Sequence, residues 1–206
     1  MHTYEYGDPA SVHVLIQPVD AHDLEGIERE VQTISGLAGS DFRLIAVKIE
    51  DWNRDLTPWE APAVFGKEAF GGRAAATLTE LLKLCDDRSR QYYIGGYSLA
   101  GLFALWSACQ TDVFRGAAAA SPSVWFPGFA GYVKAHGVQC ARVYLSLGDR
   151  EELTRNPVMA TVGARIRALH AFLSAQGTDC VLEWNPGNHF KDPDLRTARA
   201  FARLLT

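Results

Sequence analysis

Short apolar runs alternate along this chain with longer stretches whose apolar residues recur at helical spacing. The short runs are typical of buried strands and predict six strands, at residues 12–17, 42–49, 91–95, 114–120, 142–147 and 180–184. The stretches between them predict helices. Because strands that alternate with helices connect through right-handed crossovers, we expect an α/β protein with a six-stranded, mostly parallel sheet and helices on both faces.

One predicted helix differs from the others because it has no polar face. Residues 99–109 are apolar on nearly every side, so this helix is expected to be buried at the centre of the molecule. Asn156-Pro157 and Asp192-Pro193 each combine a capping residue with a proline, which is typical of a helix N-terminus. The pattern contains no repeat and no linker, and we therefore expect residues 1–206 to form a single domain.

Composition narrows the classes of function. Of the 206 residues 48% are hydrophobic, the formal net charge is −4, and no two basic residues are adjacent. A surface for nucleic acid or for anionic membranes therefore has no electrostatic basis, and small molecules or other proteins are the expected partners. No apolar window is long enough to span a membrane, and the N-terminus has no secretion signal, so a cytoplasmic location is expected.

The cysteines give no indication of a metal site. Cys85, Cys109, Cys140 and Cys180 are far apart and show neither the spacing of zinc ligands nor a disulfide framework. We therefore expect free, mostly buried thiols and no metal or other cofactor.

A serine stands between the third predicted strand and the apolar helix, in the sequence Gly96-Tyr97-Ser98-Leu99-Ala100. A nucleophilic serine at a sharp strand-to-helix turn needs small residues two positions before and after it, so that strand and helix can pack. Glycine is usual at both positions, and alanine at position 100 departs from this pattern by one methyl group. The alternative is a glycine-rich nucleotide-binding turn, but the phosphate-binding motifs are missing. Ser98 is the candidate nucleophile.

A serine hydroxyl needs a base, and histidine suits this role near neutral pH. Sites in parallel sheets gather at the carboxyl ends of the strands, so the histidine should follow a strand. Of the six histidines, His22 and His189 do so. His22 precedes the serine and lies near a helix start, where a capping or solvent-exposed role is expected. His189 directly follows the last strand and is the candidate base.

The third expected group is a carboxylate that orients the imidazole. The strand at 142–147 is followed by the segment Gly-Asp-Arg-Glu-Glu at 148–152, which offers three acids in one loop. A solvated acidic turn would explain one or two of them. At least one is expected to point inward.

The order serine, acid, histidine, each after a strand, resembles that of the α/β-hydrolases. The resemblance is closest to the esterase family that includes esterase D-like and enterochelin-esterase-like enzymes, and it extends from Val12 to Leu205. It rests also on Ser-Leu-Ala-Gly-Leu-Phe-Ala at 98–104 and on Arg-Asp-Leu-Thr-Pro at 54–58. It implies a minimal version of the hydrolase fold, because only about ten residues precede the first predicted strand.

The resemblance also ranks the three acids and bears on the shape of the cleft. In this family the acid commonly stands three residues after a glycine, which favours Glu151, with Asp149 second and Glu152 third. The stretch 122–140 leaves no room for a large lid between the neighbouring strands. An open or shallowly covered cleft is therefore expected.

The residues and the resemblance together imply a serine hydrolase that cleaves a carboxyl ester or thioester through an acyl-enzyme on Ser98. The oxyanion would be held by the backbone N–H of Leu99 and by a second N–H after the first predicted strand. Pro18 has no N–H. Val19 is therefore the first choice for the second donor, and Asp20 is the alternative.

Further candidates for substrate binding lie after strands, near the expected cleft. They are Asp20, Trp52, Arg54, Trp59, Tyr97 and Trp125. Arg54 could hold an anionic group of the substrate. Equally, it could form a structural pair with Asp51 or Asp55.

Two other functions remain open. An acyltransferase would use the same residues with an alcohol in place of water, and a binding module could keep the fold without catalysis. Labelling by a fluorophosphonate, combined with turnover of p-nitrophenyl acetate, would separate the three functions.

Overall fold

A seven-stranded, mostly parallel sheet runs through the computed structural model, which describes residues 1–206. The chain forms nine strands: β1 (His2–Gly7), β2 (His13–Val19), β3 (Arg43–Lys48), β4 (Glu60–Ala61), β5 (Phe70–Gly71), β6 (Gln91–Tyr97), β7 (Phe114–Ala120), β8 (Arg142–Gly148) and β9 (Asp179–Asn185). The main sheet has the order β1-β3-β2-β6-β7-β8-β9, and β4 pairs with β5 in a separate two-stranded ladder. Only β1 runs antiparallel to its neighbour in the main sheet.

Helices cover both faces of this sheet. They are α1 (Ala21–Ala38), α2 (Trp52–Asp55), α3 (Ala74–Leu82), α4 (Leu99–Gln110), α5 (Phe129–His136), α6 (Val162–Ala175) and α7 (Pro193–Leu205). Apolar residues of α1 and α7 pack on one face in a core of 18 buried residues, and those of α3 to α6 pack on the other in a core of 38. The predicted α/β class, with a mostly parallel sheet between two layers of helices, is confirmed.

The sheet has one strand more than the six predicted. Strand β1 pairs antiparallel with β3, with His2 opposite Lys48. Tyr4 and Tyr6 pack partly against the core, while the residues beside them are exposed. An edge strand with one solvated face has only a short alternating pattern, and the sequence prediction therefore began the sheet too late.

Helix α6 begins at Val162, later than the predicted cap at Asn156 indicates. Asn156 Oδ1 accepts two backbone N–H groups, at 3.0 and 3.2 Å. The chain after it first forms a 3₁₀ turn at Met159–Thr161, and only then the helix. Asn156 thus caps a turn that leads into α6.

Helix α4 and the cysteine thiols are buried to the extent that the sequence pattern leads us to expect. Every residue of α4 from Leu99 to Cys109 is buried. All four cysteines are free, two of them buried and two half-buried, and burial raises the pKa of the Cys109 thiol to about 12. No helix combines the length and the apolar character needed to cross a membrane.

One edge of the sheet collects the segments that follow the parallel strands. Ser98 follows β6, Ser121 follows β7, Asp149 follows β8 and Pro186 follows β9. Because β6 to β9 are neighbours in the sheet, these four connections lie side by side. This edge holds the candidate site.

Candidate active site

Ser98 forms the sharp turn between β6 and α4, with φ 55° and ψ −116°. A residue with a β-carbon rarely adopts this conformation, so the surrounding packing has to hold it. A Cβ added to Gly96 would lie 2.5 Å from the Cβ of Ala100, which is closer than two carbons can approach. Ala100 is therefore accommodated because position 96 is glycine.

The structure brings Ser98 together with two other predicted side chains. Ser98 Oγ lies 3.1 Å from His189 Nε2, and His189 Nδ1 lies 2.7 Å from Glu151 Oε2. The three residues follow β6, β9 and β8, so their convergence depends on the order of the strands in the sheet. The hydroxyl of Ser98 also lies 3.3 Å from that of Ser123.

Of the three acids in the loop after β8, only Glu151 contacts the imidazole. Asp149 Oδ1 accepts the backbone N–H of Gly187 at 2.8 Å, and so joins this loop to the one that carries the histidine. Glu152 forms an ion pair with Arg167, 3.2 Å away. Both acids thus have structural contacts away from the histidine ring.

The other oxygen of Glu151 accepts three hydrogen bonds. Oε1 lies 2.7 Å from Ser121 Oγ, 2.7 Å from the Gly148 nitrogen and 2.9 Å from Arg196 Nη1. Burial raises the pKa of Glu151, but the hydrogen bond and charge of His189, with the donors of Ser121 and Gly148, outweigh it and hold the pKa below the ordinary glutamate value. The carboxylate is therefore ionised at neutral pH.

Arg196 is a member of the site that the sequence analysis missed. Its side chain is only 1% exposed, and besides Glu151 it contacts the Tyr97 hydroxyl at 3.1 Å. Its Nη2 donates to the carbonyls of Pro186 and Asn188, at 3.2 and 3.0 Å. One guanidinium therefore connects the acid to the loop that carries the histidine.

The pattern of apolar residues in α7 explains why the sequence did not indicate that Arg196 is buried. In the sequence, the apolar residues Leu195, Ala198, Ala202 and Leu205 predict the buried stripe of this helix, and a charged residue beside such a stripe is expected in solvent. The buried face also includes Phe201 and Leu204. A stripe drawn through these two residues would have put Arg196 at its border, which is the only signal the sequence offers.

Tyr97, a predicted substrate-binding residue, contacts the histidine loop. Its hydroxyl donates to the backbone carbonyl of His189 at 2.8 Å. Burial, followed by the charge of Glu151, raises the Tyr97 pKa to about 12. The phenol thus keeps its proton at neutral pH and supports the position of the histidine.

The two predicted oxyanion donors differ in their surroundings. Leu99 is the first residue of α4, and its N–H, like others in a first helical turn, has no acceptor within the helix. The backbone carbonyl of Val19 accepts the N–H of Ile49, the residue that directly follows β3. The N–H and C=O groups of one strand residue point to the same side of the strand, so the Val19 N–H also faces β3. That direction is away from β6.

Asp20 forms the whole connection between β2 and α1, and both of its polar groups are engaged. Its N–H donates to the Asp23 carboxylate at 3.1 Å, and its own carboxylate accepts the Asp23 N–H at 2.8 Å. This reciprocal pair is a capping box. The structure therefore does not support a second oxyanion donor, or a substrate contact, from this connection.

A cleft of about 400 Å³ opens beside His189 and Glu151. Its apolar wall is formed by Trp125, Leu153, Met159, Val162 and Phe190. Trp125 is the one aromatic residue predicted to bind substrate that lines this cleft. Arg150 lines it as well and was not among the predicted residues.

The remaining predicted substrate contacts lie elsewhere. Trp59 donates its indole N–H to the Pro127 carbonyl at 2.9 Å and packs against Phe126, so it has a structural role. Trp52 and Arg54 line a separate depression. Arg54 pairs with Asp55, 2.9 Å away, as in the structural alternative.

No group of His, Cys, Asp and Glu side chains is arranged to hold a metal ion.

Comparison with known proteins shows similarity at the level of structure. No protein-family model and no curated protein sequence matches the chain. Siderophore hydrolase EstA from Aspergillus nidulans matches with a TM-score of 0.65 at 20% identity, over 95% of this chain and 84% of that chain. An IroE-like serine hydrolase from Shewanella oneidensis matches with a TM-score of 0.74 at 12% identity, over 98% of this chain and 74% of that chain.

A longer protein matches in the same way. The enterobactin esterase FES from Shigella flexneri, in the presence of enterobactin, has a TM-score of 0.70 at 17% identity, with 98% of this chain and 54% of that chain covered. The present chain thus spans about half the length of that enzyme. At such identities the comparisons bear on the fold, and they confirm the predicted one: this chain has the α/β-hydrolase fold.

Proposed function

We propose that this chain is a serine hydrolase that cleaves carboxyl esters or thioesters of small molecules. The observation that carries the proposal is the continuous line of contacts from Ser98 Oγ through His189 to Glu151, which begins at the strained turn before a buried helix. The names of the similar structures, which include siderophore hydrolases and an enterobactin esterase, support the same class of reaction.

The first half of the proposed reaction transfers the acyl group to the serine. His189 Nε2 accepts the Ser98 proton as Oγ attacks the carbonyl carbon, and a tetrahedral oxyanion forms. When the intermediate collapses, the bond to the leaving oxygen or sulfur breaks, and His189 returns the proton to the leaving group. The acyl group remains on Ser98 as an ester.

Water completes the reaction through the same residues. His189 removes a proton from water as its oxygen attacks the acyl carbon, and then returns that proton to Ser98 Oγ when the acid leaves. Glu151 accepts the Nδ1–H of the ring throughout, so it fixes the tautomer and stabilises the imidazolium. Arg196 and Ser121 act as positioning residues because they hold the carboxylate.

The backbone N–H of Leu99 is the proposed oxyanion donor. It lies at the N-terminus of α4, where unpaired N–H groups carry partial positive charge. A donor aimed at the developing negative charge lowers the barrier without reorganising during the reaction.

Two neighbouring serines allow a matched test of the nucleophile. We expect a fluorophosphonate to label Ser98 in the wild-type protein and in Ser123→Ala, because the Ser123 hydroxyl has no histidine partner. Ser98→Ala should lose the label, and its kcat for p-nitrophenyl acetate should fall by about three orders of magnitude or more. Near wild-type turnover by Ser98→Ala would refute the proposal, and labelling without hydrolysis would favour acyl transfer.

A further inference from the structure

One charged side chain in the cleft beside His189 has no partner. Arg150 is exposed and lines the cleft, and its guanidinium forms neither an ion pair nor a side-chain hydrogen bond. Arg54, in contrast, is already paired with Asp55 and Asp51. Arg150 is therefore the arginine at this site that is free to bind an anion.

The acids around Arg150 are all engaged by other donors. Glu151 is bound by four donors that include Arg196, Asp149 accepts a backbone N–H, and Glu152 pairs with Arg167. Among the residues that line the cleft, Arg150 is therefore the one cation without an ion-pair partner, in a chain whose formal net charge is −4. The only carboxylate in the lining of the cleft is that of Glu151, which is already paired with Arg196.

The position of the cleft shows which part of an ester it would hold. His189 returns the proton to the leaving oxygen, so the leaving group has to lie on the side of the imidazole. The cleft is lined by His189 and its neighbours Asn188 and Phe190. It therefore lies where the alcohol portion of the substrate would be.

The mouth of the cleft is apolar. Phe190 is 86% exposed and Leu153 is 73% exposed, which is high for side chains of their size. Both line the same cleft as Trp125 and Arg150. Exposed apolar side chains that border a cleft mark a surface that binds an apolar group.

We propose, on the basis of the proposed function, that the cleft selects esters whose alcohol portion combines an apolar body with a carboxylate that pairs with Arg150. Guanidinium and carboxylate match in geometry and form charge-assisted hydrogen bonds. Because Arg150 is exposed, the gain is moderate and decreases with salt.

Two acetyl esters whose leaving phenols have nearly the same reactivity test whether Arg150 selects an anionic alcohol portion. The anion para-acetoxyphenylacetate and the neutral para-acetoxyphenylacetamide differ in charge at a position that a methylene group insulates from the phenol oxygen. At low ionic strength we expect the wild-type kcat/KM to be about 5- to 10-fold higher for the anion, mainly through KM. Arg150→Gln should bring this ratio to about one, and Arg150→Glu should reverse it.

Arg155 supplies the matched control. It is exposed near the same loop but does not line the cleft, so Arg155→Gln should keep the wild-type ratio. A wild-type ratio of one or less, or a ratio unchanged by Arg150→Gln, would overturn this inference while hydrolysis of the neutral ester still upheld the proposed function. Turnover of neither ester, without labelling of Ser98, would overturn both.

Discussion

At the scale of single residues, the least expected feature is a buried cation behind Glu151, the proposed triad acid. Arg196 balances the charge of Glu151 and also donates to two carbonyls of the histidine loop. A carboxylate that is already paired with arginine stabilises an imidazolium less than an unpaired one would. Arg196 therefore weakens the stabilisation of the imidazolium by Glu151, but it fixes the position of Glu151 relative to the loop that carries His189.

Replacing Arg196 should affect both stability and pH dependence. We expect Arg196→Met to lower the free energy of unfolding by about 3–5 kcal/mol, because it leaves a buried carboxylate without its cation. In the folded variant, the acid limb of the kcat/KM profile should move to higher pH, because Glu151 would then favour the imidazolium more strongly. Urea unfolding and pH–rate profiles measure the two effects.

Two variants serve as controls for this prediction. Arg199 lies in the same helix and donates to Asn185 rather than to Glu151, so Arg199→Met should leave the acid limb at its wild-type pH. Arg196→Lys keeps the positive charge and should retain the wild-type limb while losing stability. An unmoved acid limb in folded Arg196→Met would show that Arg196 does not influence the charge interaction between Glu151 and His189.

At the scale of elements, the unit formed by β6, the Ser98 turn and α4 depends on close packing of small residues. Gly95 faces Ala118 and Phe201, and a Cβ there would lie 2.7 Å from each. At Gly96 the obstacle is the Ala100 methyl group. The turn is strained, so the strand and helix that flank it have to be held in register.

A substitution and its rescue test this packing. Gly96→Ala should lower the free energy of unfolding by about 1–3 kcal/mol and reduce turnover, because α4 has to shift away from the strand. Adding Ala100→Gly removes the colliding methyl group and should restore much of both. Gly131→Ala, in helix α5, adds a methyl group with no atom within 4 Å apart from the nearby backbone of its own helix and its chain neighbours, and should be neutral or slightly stabilising. No rescue by Ala100→Gly would contradict this account.

At the scale of the whole molecule, another buried acid makes stability depend on pH. Glu30 of α1 is buried against the sheet and accepts a hydrogen bond from Gln17 of β2 at 3.3 Å, while its second oxygen has no partner. Burial raises the Glu30 pKa well above the ordinary value, although the Gln17 hydrogen bond lowers it. The folded chain therefore keeps this proton to higher pH than the unfolded chain does.

The sign of the resulting pH dependence follows from linkage. The unfolded chain releases the proton near the ordinary glutamate value, so the free energy of unfolding falls as the pH rises from there to the folded pKa. Glu30→Gln removes this titration and should be more stable than wild type by about 1–2 kcal/mol near pH 8, with no such gain near pH 4. Urea unfolding across this range measures it.

Glu28→Gln provides the comparison for Glu30. Glu28 is exposed on the same helix, so its replacement should change stability little and should not alter the pH dependence. If Glu30→Gln lost stability with rising pH as steeply as wild type, the buried carboxyl would not be the source of the effect.

Local patterns predicted much of the fold and the central part of the site. The spacing of apolar residues located the six parallel strands and the central helix, because each of these elements is buried on one face or on all sides. The small residues around Ser98 indicated a tight turn, which the structure has. Edge strand β1 lacked a strong pattern, and the position of Arg196 depends on partners distant in sequence, so neither was foreseen.

The chain by itself determined the alternation of strands and helices and the three segments after strands that carry serine, acid and histidine. These follow from local periodicity and turn chemistry, which need no knowledge of distant contacts. The loop residues by themselves left three acids open, and the family resemblance ranked Glu151 first. Tertiary structure showed that Glu151 contacts the ring, and it alone decided that Arg196 is buried behind this acid and that Arg150 rather than Arg54 lines the cleft. The physical reason is that such pairings are set by the order of strands in the sheet, which brings together residues far apart in the sequence.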